Sequence, residues 1–385
     1  MLKILTIIGA RPQIIKAAAI SRAIQKNFST KMHELIIHTG QHYDENMSQI
    51  FFDELEIPRP DFMFEMKGKT PEEQITEMQL KIESIIAHQP PDAVLVYGDT
   101  NSTYAGALAA EKSKFPLIHI EAGLRSWNND MPEERNRVYA DRVSTLLFSP
   151  TITGYNNLIQ EGFPTHNNPP YSITNQKIYH CGDVMFDNSM HFSKIADSKT
   201  NVLEKYHLEN EKFILATIHR NTNTDNPNHL NAIFSAFLEI ANNNSLKIIL
   251  PLHPRTKKMS HELLKDDLNQ KINSSPNLII TEPVSFLEMI ALEKNCALVM
   301  TDSGGVQKEA FYFQKPCVVL RKETEWTELV NCGAATLSGA EDASRIIQAT
   351  LNLLNHPPKK FPQFFGDGKA AEFICSEIIS KINKA

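Results

Sequence analysis

The chain opens with MLKILTIIGARPQ (Met1–Gln13), in which the apolar run Ile4–Ile8 leads directly to Gly9, with Pro12 soon after. The run is short and apolar, which favours a buried β-strand. Gly9 permits a tight turn, and Pro12 suits the first turn of a helix. A buried strand followed by a helix is the repeating unit of a parallel sheet, so this stretch predicts an α/β fold.

The same strand-to-helix pattern recurs along the chain. Short apolar runs alternate with amphipathic stretches, as expected for a parallel sheet covered by helices on both faces. The other predicted strands are Glu34–His38, Ala93–Tyr97, Leu117–Ile120, Leu146–Ser149, Phe213–Thr217, Lys247–Leu250, Leu278–Thr281, Leu298–Thr301 and Cys317–Leu320. Residues 164–178, which are rich in proline and asparagine, interrupt the pattern and predict a loop near a domain junction.

Two doubly wound, Rossmann-like α/β domains are therefore predicted, with boundaries at residues 1–180 and 181–365. Such sheets bind ligands at the carboxyl ends of their strands, and two facing sheets would form a cleft. Residues 366–385 include an amphipathic helix, Ala370–Ile382, that we expect to pack back on the first domain.

Composition excludes several classes of protein. The 385 residues are 42% hydrophobic and 22% charged, with a net charge of −6. This argues against nucleic-acid and anionic-membrane partners, which both select basic surfaces. No window of about 20 apolar residues predicts a membrane span. The five cysteines are scattered, which fits the reducing cytoplasm, and no histidine or cysteine spacing predicts a metal site.

The first candidate site is Gly9–Gln13 with Lys16 one turn further on. Free backbone amides at a helix start, together with Arg11 and Lys16, would hold a diphosphate. The alternative is an ordinary strand-to-helix turn with a surface arginine, and the short motif taken alone slightly favours that alternative.

The second candidate site is Thr301–Glu309, where a predicted strand ends and a helix begins. Gly304 and Gly305 let a ligand approach the backbone closely, and Ser303 with the following amides forms an anion site. Glu309 is placed to accept hydrogen bonds from ribose hydroxyls. A glycine-rich turn capped by Ser303 is the alternative, but a capping turn does not need both glycines.

Three carboxylates follow strands or begin a helix. Asp99 and Glu121 each come just after a predicted strand, so both belong at one rim of the sheet. Glu133 lies at the start of a helix, in MPEERNR. Carboxylates in different environments can act as acid and base. A helix cap for Asp99 and a first-turn acid for Glu133 remain open alternatives.

His219 and Arg220 follow the predicted strand Phe213–Thr217. A histidine at a strand end can act as a general acid or donate to a phosphate. By itself, a hydrogen-bonded structural histidine is the better interpretation.

Taken together, these motifs resemble one family, the non-hydrolysing UDP-N-acetylglucosamine 2-epimerases. The resemblance spans about residues 3–350 and rests on GARPQ with Lys16, VYGDT, HIEAGLRS, MPEERNR, TIHR, PLHPRT and SGGVQKEA, in that order. It implies a GT-B type fold, with a UDP-sugar bound in the cleft between two Rossmann-like domains. It also implies a homodimer, and an activity that supplies precursors of cell-surface polysaccharides.

The resemblance also implies roles for individual residues. The residues that match catalytic positions are Asp99, Glu121, Glu133 and His219. Those implied or expected to bind substrate are Arg11, Lys16, Arg220, Phe286, Ser303, Gly304, Gly305, Glu309 and Arg321. In the implied reaction UDP is eliminated to form a glycal. UDP then adds back and a proton returns on the other face of carbon 2, without a cofactor.

Some segments depart from the commonest family pattern. The stretches 39–49 and 67–70 differ from those that bind an activating UDP-sugar in bacterial members, which puts allosteric activation in doubt. Gln13 and the segment 322–326 look more like a subgroup that acts on UDP-2,3-diacetamido-2,3-dideoxy-glucuronate. We take UDP-N-acetylglucosamine as the expected substrate and this glucuronate derivative as the alternative.

Three other functions would share parts of this pattern. A GT-B glycosyltransferase needs the nucleotide site but not three acids in the first domain. A hydrolysing epimerase would release UDP stoichiometrically. A non-catalytic UDP-sugar sensor would bind without turnover, and the complete acid set counts against it.

Overall fold

A computed structural model describes residues 1–41, 57–66, 68–243 and 246–382 of the chain. Two compact units make up the fold. The first domain contains Met1–Asn188 together with Gln363–Ala385, and the second domain contains Ser189–Pro362.

The first domain is built on a parallel sheet. Its strands are β1 (Leu2–Ile8), β2 (Met32–His38), β3 (Phe62–Met63), β4 (Ala93–Tyr97), β5 (Leu117–Ile120), β6 (Leu146–Ser149) and β7 (Lys177–His180). Its helices are α1 (Arg11–Ala23), which continues as a π-helical turn (Ile24–Phe28), α2 (Pro71–His88), α3 (Asn101–Ser113), α4 (Pro132–Val143) and α5 (Ile152–Gln160). Helix α6 (Val184–Lys199) begins in this domain and ends in the second.

The strand order of the first sheet is β3-β2-β1-β4-β5-β6-β7, and all its described pairings are parallel. Strand β4 (AVLVY) is buried along its whole length, because helices cover the sheet. The chain order reverses between β1 and β4, so the carboxyl ends of these two strands form the switch point at which such sheets bind ligands.

The second domain repeats this architecture. Its strands are β8 (Phe213–Thr217), β9 (Lys247–Pro251), β10 (Leu278–Thr281), β11 (Leu298–Thr301), β12 (Cys317–Val319) and β13 (Ala335–Leu337). Its helices are α7 (Val202–Lys205), α8 (Asn221–Thr224), α9 (Pro227–Asn243), α10 (Pro254–Leu263), α11 (Asp266–Ser274), α12 (Phe286–Asn295), α13 (Gly304–Tyr312), α14 (Thr327–Asn331) and α15 (Ala343–Asn355).

The strand order of the second sheet is β10-β9-β8-β11-β12-β13, also parallel. Its switch point lies between β8 and β11, where Thr217 pairs with Thr301 and their hydroxyls are 2.6 Å apart. The two parallel sheets confirm the predicted α/β class with doubly wound domains. Each domain has its own apolar core, in which strand residues such as Val96 and Leu250 pack against the covering helices.

The predicted strands are present, with small differences at their ends. Residues 177 and 178, predicted as loop, begin β7, which continues the first sheet beyond β6. Leu320, predicted to end a strand, lies just after β12. The sequence pattern does not predict β3 or β13, because two or three residues are too few to show a period.

The C-terminal segment belongs to the first domain. Its helix α16 (Ala370–Lys381) is capped by Asp187, whose carboxylate accepts hydrogen bonds from the N–H groups of Ala370 (3.2 Å) and Ala371 (2.7 Å). Asn188 donates to the carbonyl of Ile15 (2.5 Å). These contacts explain why the domain division falls within α6, after residue 188, rather than at residue 180.

Candidate functional site

The turn after β1 is organised by the side chain of Gln13. Gln13 is buried, and its Oε1 accepts hydrogen bonds from the N–H groups of Gly9 (2.9 Å) and Ala10 (3.2 Å). Its Nε2 donates to the carbonyl of Tyr97 (2.9 Å), at the end of β4. The expectation that these amides are free for a diphosphate is wrong for Gly9 and Ala10, because Gln13 uses both donors. Arg11 begins α1 and is exposed.

Lys16 and Glu121 form an ion pair near the switch point of the first sheet. Lys16 Nζ contacts Glu121 Oε2, and the two side chains are only 13% and 12% exposed. Both lie beside Gly98, since a β-carbon on Gly98 would be 2.9 Å from the Glu121 carboxylate and 3.4 Å from the Lys16 ammonium. The ends of β4 and β5 and the first turns of α1 therefore meet here, as the parallel topology predicts.

The backbone of Glu121 is strained. Its φ is +72°, in the left-handed region that residues other than glycine rarely adopt. Its N–H is nevertheless satisfied, because it donates to the carbonyl of Phe148 (3.0 Å). Such strain costs on the order of 1–3 kcal/mol and is found most often at functional sites. This conformation, together with the Lys16 ion pair, makes Glu121 a candidate functional residue.

Asp99 follows Gly98 and pairs with Arg137 of α4. The Asp99 carboxylate contacts one guanidinium nitrogen of Arg137, and the other lies 2.5 Å from Glu134 Oε2. Burial alone would lower the pKa of Arg137, but the charges of Asp99, Glu134 and Glu121 raise it overall. Two carboxylates, those of Asp99 and Glu134, therefore contact one permanently charged guanidinium.

The two adjacent glutamates at the start of α4 have different environments. Glu133, the predicted catalytic acid, is exposed in the first helical turn. Glu134 is buried and accepts hydrogen bonds from the N–H groups of Ser126 (2.9 Å) and Trp127 (3.2 Å). Burial would raise the pKa of Glu134, but the hydrogen bonds from Ser126 and the charge of Arg137 lower it. Glu134 anchors the preceding loop, and Glu133 is accessible to a solute.

A buried polar network joins the ends of β4 and β5. His119 Nδ1 lies 2.7 Å from the Asp141 carboxylate, and its Nε2 lies 2.7 Å from the carbonyl of Gly98. The guanidinium of Arg125 is also 2.7 Å from Asp141. Burial would raise the pKa of Asp141, but the hydrogen bond from His119 and the charges of His119 and Arg125 lower it. The network fixes the turn that precedes Asp99.

In the second domain, Asp302 holds the turn after β8. Asp302 is fully buried, and its carboxylate accepts hydrogen bonds from the N–H groups of His219 (3.1 and 3.2 Å) and Arg220 (3.1 Å). His219 Nδ1 lies 3.5 Å from the same carboxylate, and half of the His219 side chain is exposed. The predicted histidine is thus held by a buried acid and remains accessible.

The turn after β11 begins helix α13 with two glycines. The hydroxyl of Ser303 caps the helix and accepts a hydrogen bond from the N–H of Val306 (3.5 Å). A β-carbon on Gly304 would lie only 2.0 Å from Glu325 Oε1, whereas one on Gly305 would meet nothing closer than Ser303 Oγ at 3.8 Å. The carboxylate of Glu325 therefore lies against the N-terminus of α13.

Glu325 also pairs with two of the predicted substrate-binding residues. Its carboxylate lies 2.9 Å from Arg321 and 4.0 Å from Arg220. Two arginines beside a helix N-terminus attract anions, phosphates above all. The structure thus brings together four of the predicted substrate-binding residues of this domain, namely Ser303, Gly304, Arg220 and Arg321.

Two further predicted nucleotide-binding residues of this domain are Phe286, on α12, and Glu309, on α13. Glu309 is half-buried on α13. Phe286 begins α12, and its ring packs edge-to-face on Phe192, with the ring centroids 5.4 Å apart. Phe286 is therefore part of the domain interior.

The sequence does not predict the roles of six residues in these groups. Five of them lie within the motifs and segments named above, namely Gln13, Glu134, Arg137, Asp302 and Glu325, and the sixth, Asp141, lies outside them. MPEERNR contains Glu134 and Arg137 at the i, i+3 spacing of a helical ion pair, which is a signal that could have identified both. No local signal identifies the partners of Gln13 or Asp302, because those partners lie far away in the sequence.

Two absences among the described residues bear on metal binding and membrane insertion. Within the described ranges, no group of three or more histidine, cysteine, aspartate or glutamate side chains is arranged to hold a metal ion. Over the same residues, no helix has both the length and the apolar character needed to span a membrane.

Comparison with known proteins shows similarity to one family over nearly the whole chain. The family model for UDP-N-acetylglucosamine 2-epimerase matches residues 23–379. A UDP-2,3-diacetamido-2,3-dideoxy-D-glucuronate 2-epimerase from Pseudomonas aeruginosa is 45% identical over 382 residues, which cover 99% of this chain and 100% of the relative. A UDP-N-acetylglucosamine 2-epimerase from Methanocaldococcus jannaschii is 40% identical over 375 residues, covering 97% and 98%.

Solved structures show the same similarity. The crystal structure of the Methanocaldococcus jannaschii enzyme in complex with UDP-GlcNAc and UDP has a TM-score of 0.82 at 39% identity, covering 98% of this chain and 100% of that one. The enzyme from Neisseria meningitidis bound to UDP-GlcNAc has a TM-score of 0.84 at 28% identity, with coverage of 98% and 100%.

Proposed function

Because the chain belongs to the UDP-N-acetylglucosamine 2-epimerase family, we propose that it inverts carbon 2 of a UDP-bound 2-acetamido sugar. The first-choice reaction interconverts UDP-N-acetylglucosamine and UDP-N-acetylmannosamine. The product would serve as a precursor of cell-surface polysaccharide. The chain is accordingly an isomerase, as the motifs predict.

One observation carries the proposal, the grouping of carboxylates and cations at the switch point of the first sheet. Glu121 is paired with Lys16, and Asp99 is paired with Arg137. A carboxylate can accept a proton, and each nearby cation can stabilise negative charge. A glycosyltransferase needs no such set, because it moves no proton at carbon 2.

The chemistry explains why proton carriers and an anion site are both needed. The hydrogen on carbon 2 is not acidic, because carbon 2 does not adjoin a carbonyl. A base removes this proton, the C–H electron pair becomes the C1–C2 double bond of a glycal, and the C1–O bond breaks with its electrons leaving on UDP. UDP then attacks C1, and an acid protonates the opposite face of carbon 2. No electrons are gained or lost overall, so no redox cofactor is required.

We assign the proton transfers to Asp99, Glu121 and Glu133, supported by the first two lying at one strand rim. In the second domain, His219, Arg220 and Arg321 would stabilise the departing diphosphate, with Ser303, Gly304 and Gly305 at the helix N-terminus. Glu309 would bind the ribose, Phe286 would help to hold the nucleotide, and Arg11 and Lys16 of the first domain would contact the diphosphate.

Positional isotope exchange tests the elimination directly. The substrate is UDP-N-acetylglucosamine with ¹⁸O in the oxygen that joins C1 to phosphorus. If the C1–O bond breaks reversibly, the β-phosphate of bound UDP rotates and ¹⁸O appears in non-bridging positions, with no free UDP accumulating. Epimerisation without any isotope scrambling would contradict the elimination, and stoichiometric release of UDP would identify a hydrolysing enzyme.

A second substrate is favoured by a specific observation. The Pseudomonas aeruginosa relative that acts on UDP-2,3-diacetamido-2,3-dideoxy-D-glucuronate is 45% identical over nearly the whole chain. Gln13 and the segment 322–326 also resemble the subgroup that acts on this glucuronate derivative. Comparing kcat/KM for the two UDP-sugars decides between them, because the true substrate should exceed the other by at least about a hundredfold when a buried polar contact discriminates.

We also propose that the protein is a cytoplasmic homodimer. The compartment is supported by its five free cysteines, and the dimer by family membership. Light scattering should give about twice the chain mass of 43.5 kDa. A mass equal to that of one chain would contradict the dimer. Of the segments tied to allosteric activation, residues 42–49 and 67 lie outside the described residues.

A further inference from the structure

A second glutamate, Glu293, lies next to Glu309, the proposed ribose-binding residue. Glu293, on α12, is fully buried. Neither of its carboxyl oxygens has a hydrogen-bond partner among the described donors. An ionised carboxylate without a donor or a cation is very costly in a protein interior. Glu293 therefore needs a proton of its own, and the proton needs an acceptor.

The neighbouring charged group is the carboxylate of Glu309. Glu309 lies on α13, which packs against α12, and its carboxyl contacts that of Glu293. Two carboxyl groups in contact do not both ionise, and the more buried one keeps the proton. Burial, and then the charge of Glu309, raise the pKa of Glu293 well above its usual value of 4.5. Glu309, which is half-buried, keeps the negative charge.

We propose that Glu293 is a positioning residue, whose protonated carboxyl donates a hydrogen bond to the Glu309 carboxylate and fixes it to accept hydrogen bonds from the ribose. This rests on the proposed function, in which Glu309 binds the ribose of a UDP-sugar. Ordering a glutamate side chain on binding weakens affinity, and a contact that restricts its rotamers beforehand reduces that cost. The buried carboxyl of Glu293 is one such contact.

The experiment measures how well the protein distinguishes UDP from 2′,3′-dideoxy-UDP by calorimetry. Wild type should bind UDP about tenfold to a hundredfold more tightly, because hydrogen bonds to a charged acceptor contribute that much. Glu293→Gln should keep this preference, because its amide still donates to Glu309. Glu293→Leu should lose most of it, while KM for the UDP-sugar rises and kcat stays within about twofold.

Matched controls separate positioning from folding. Glu293→Leu removes a buried carboxyl that has no described donor, so its melting temperature should equal or exceed that of wild type. Glu309→Gln should itself lose the preference for ribose hydroxyls. Glu239→Leu, which changes an exposed glutamate of the same domain, should alter neither affinity.

The outcomes distinguish this inference from the function on which it rests. Wild type that does not bind UDP overturns the proposed function. Wild type that binds UDP and 2′,3′-dideoxy-UDP equally overturns the inference alone, because no ribose contact would exist to be positioned. The inference is also overturned if Glu293→Leu keeps the full preference for UDP over 2′,3′-dideoxy-UDP. It is likewise overturned if Glu293→Gln loses as much of this preference as Glu293→Leu does.

Discussion

At the scale of single residues, the side chains of the first domain are held mainly by opposite charges. Glu121 is the clearest case, because its backbone is in the left-handed region and its carboxylate is paired with Lys16. Neither feature benefits a surface acid. Together they hold the Glu121 carboxylate in one place beside Gly98, which is what its proposed role as a proton acceptor requires.

Replacing Glu121 by glutamine should remove the proton acceptor and keep the shape of the side chain. We expect kcat to fall by about 10²–10⁴-fold, which is the usual contribution of a positioned acid or base. The melting temperature should change little. Steady-state kinetics and a thermal melt measure the two effects.

Glu111→Gln is the matched control, because Glu111 is exposed in the same domain. Its kcat should stay within about twofold of wild type. Turnover of Glu121→Gln at a similar level would remove Glu121 from the chemistry.

The lowered pKa of Asp141 predicts how the stability of the first domain changes as the pH falls. Its pKa is lowered in the folded state, so the stabilisation it provides is complete above its unfolded pKa of about 3.9 and is lost as pH falls towards the folded value. Asp141→Asn should therefore melt well below wild type at pH 7, and the gap should narrow at pH 3. The exposed Asp130→Asn should show no such gap at pH 7. A gap for Asp141→Asn that does not change between the two pH values would contradict this linkage.

At the scale of secondary structure elements, the turn between β1 and α1 is set by close packing. Gly9 should not tolerate a side chain, because a β-carbon there would lie 2.0 Å from Thr39 Oγ1 and 2.2 Å from Ser102 Oγ. Gly9→Ala should destabilise the first domain by about 1–3 kcal/mol through overpacking. It should also lower turnover, because α1 carries Lys16.

Gly305→Ala provides the contrast for stability. Its new β-carbon meets only Ser303 Oγ, at 3.8 Å, and alanine is the better helix former. Denaturant unfolding should leave it as stable as wild type or more so. A Gly9→Ala variant as stable as wild type would contradict the close packing that the structure shows around Gly9.

The sequence predicts these elements well where a pattern is local. Buried strands such as β4 and β8 are largely apolar runs, and the turn after β4 begins directly with Gly98. The contacts that fix the turns are not local: Gln13 reaches Tyr97 across 84 positions, and Asp302 reaches His219 across 83. A single sequence places these groups at strand ends and does not reveal their partners. It also leaves Glu133 and Glu134 indistinguishable, although one is exposed and the other buried.

At the scale of the whole molecule, the C-terminal helix completes the first domain. Its apolar side chains, among them Ile374 and Ile378, are buried, and Asp187 caps it. Deleting residues 363–385 should expose this surface, because the domain division assigns the segment to the first domain.

Calorimetry should then show one melting transition shifted down and the other, from the second domain, nearly unchanged. Two transitions shifted equally, or neither shifted, would contradict this assignment. Deleting only the last three residues, 383–385, is the matched control and should leave both transitions in place.

The central claim is that the chain inverts carbon 2 of a UDP-sugar with UDP retained in the product. Proton NMR of UDP-N-acetylglucosamine with the enzyme in D₂O tests it most directly, followed by UDP-2,3-diacetamido-2,3-dideoxy-glucuronate under the same conditions. We predict that one of them gives the manno-configured UDP-sugar, with deuterium at carbon 2 and no net free UDP. Unchanged, deuterium-free spectra for both substrates would contradict the account.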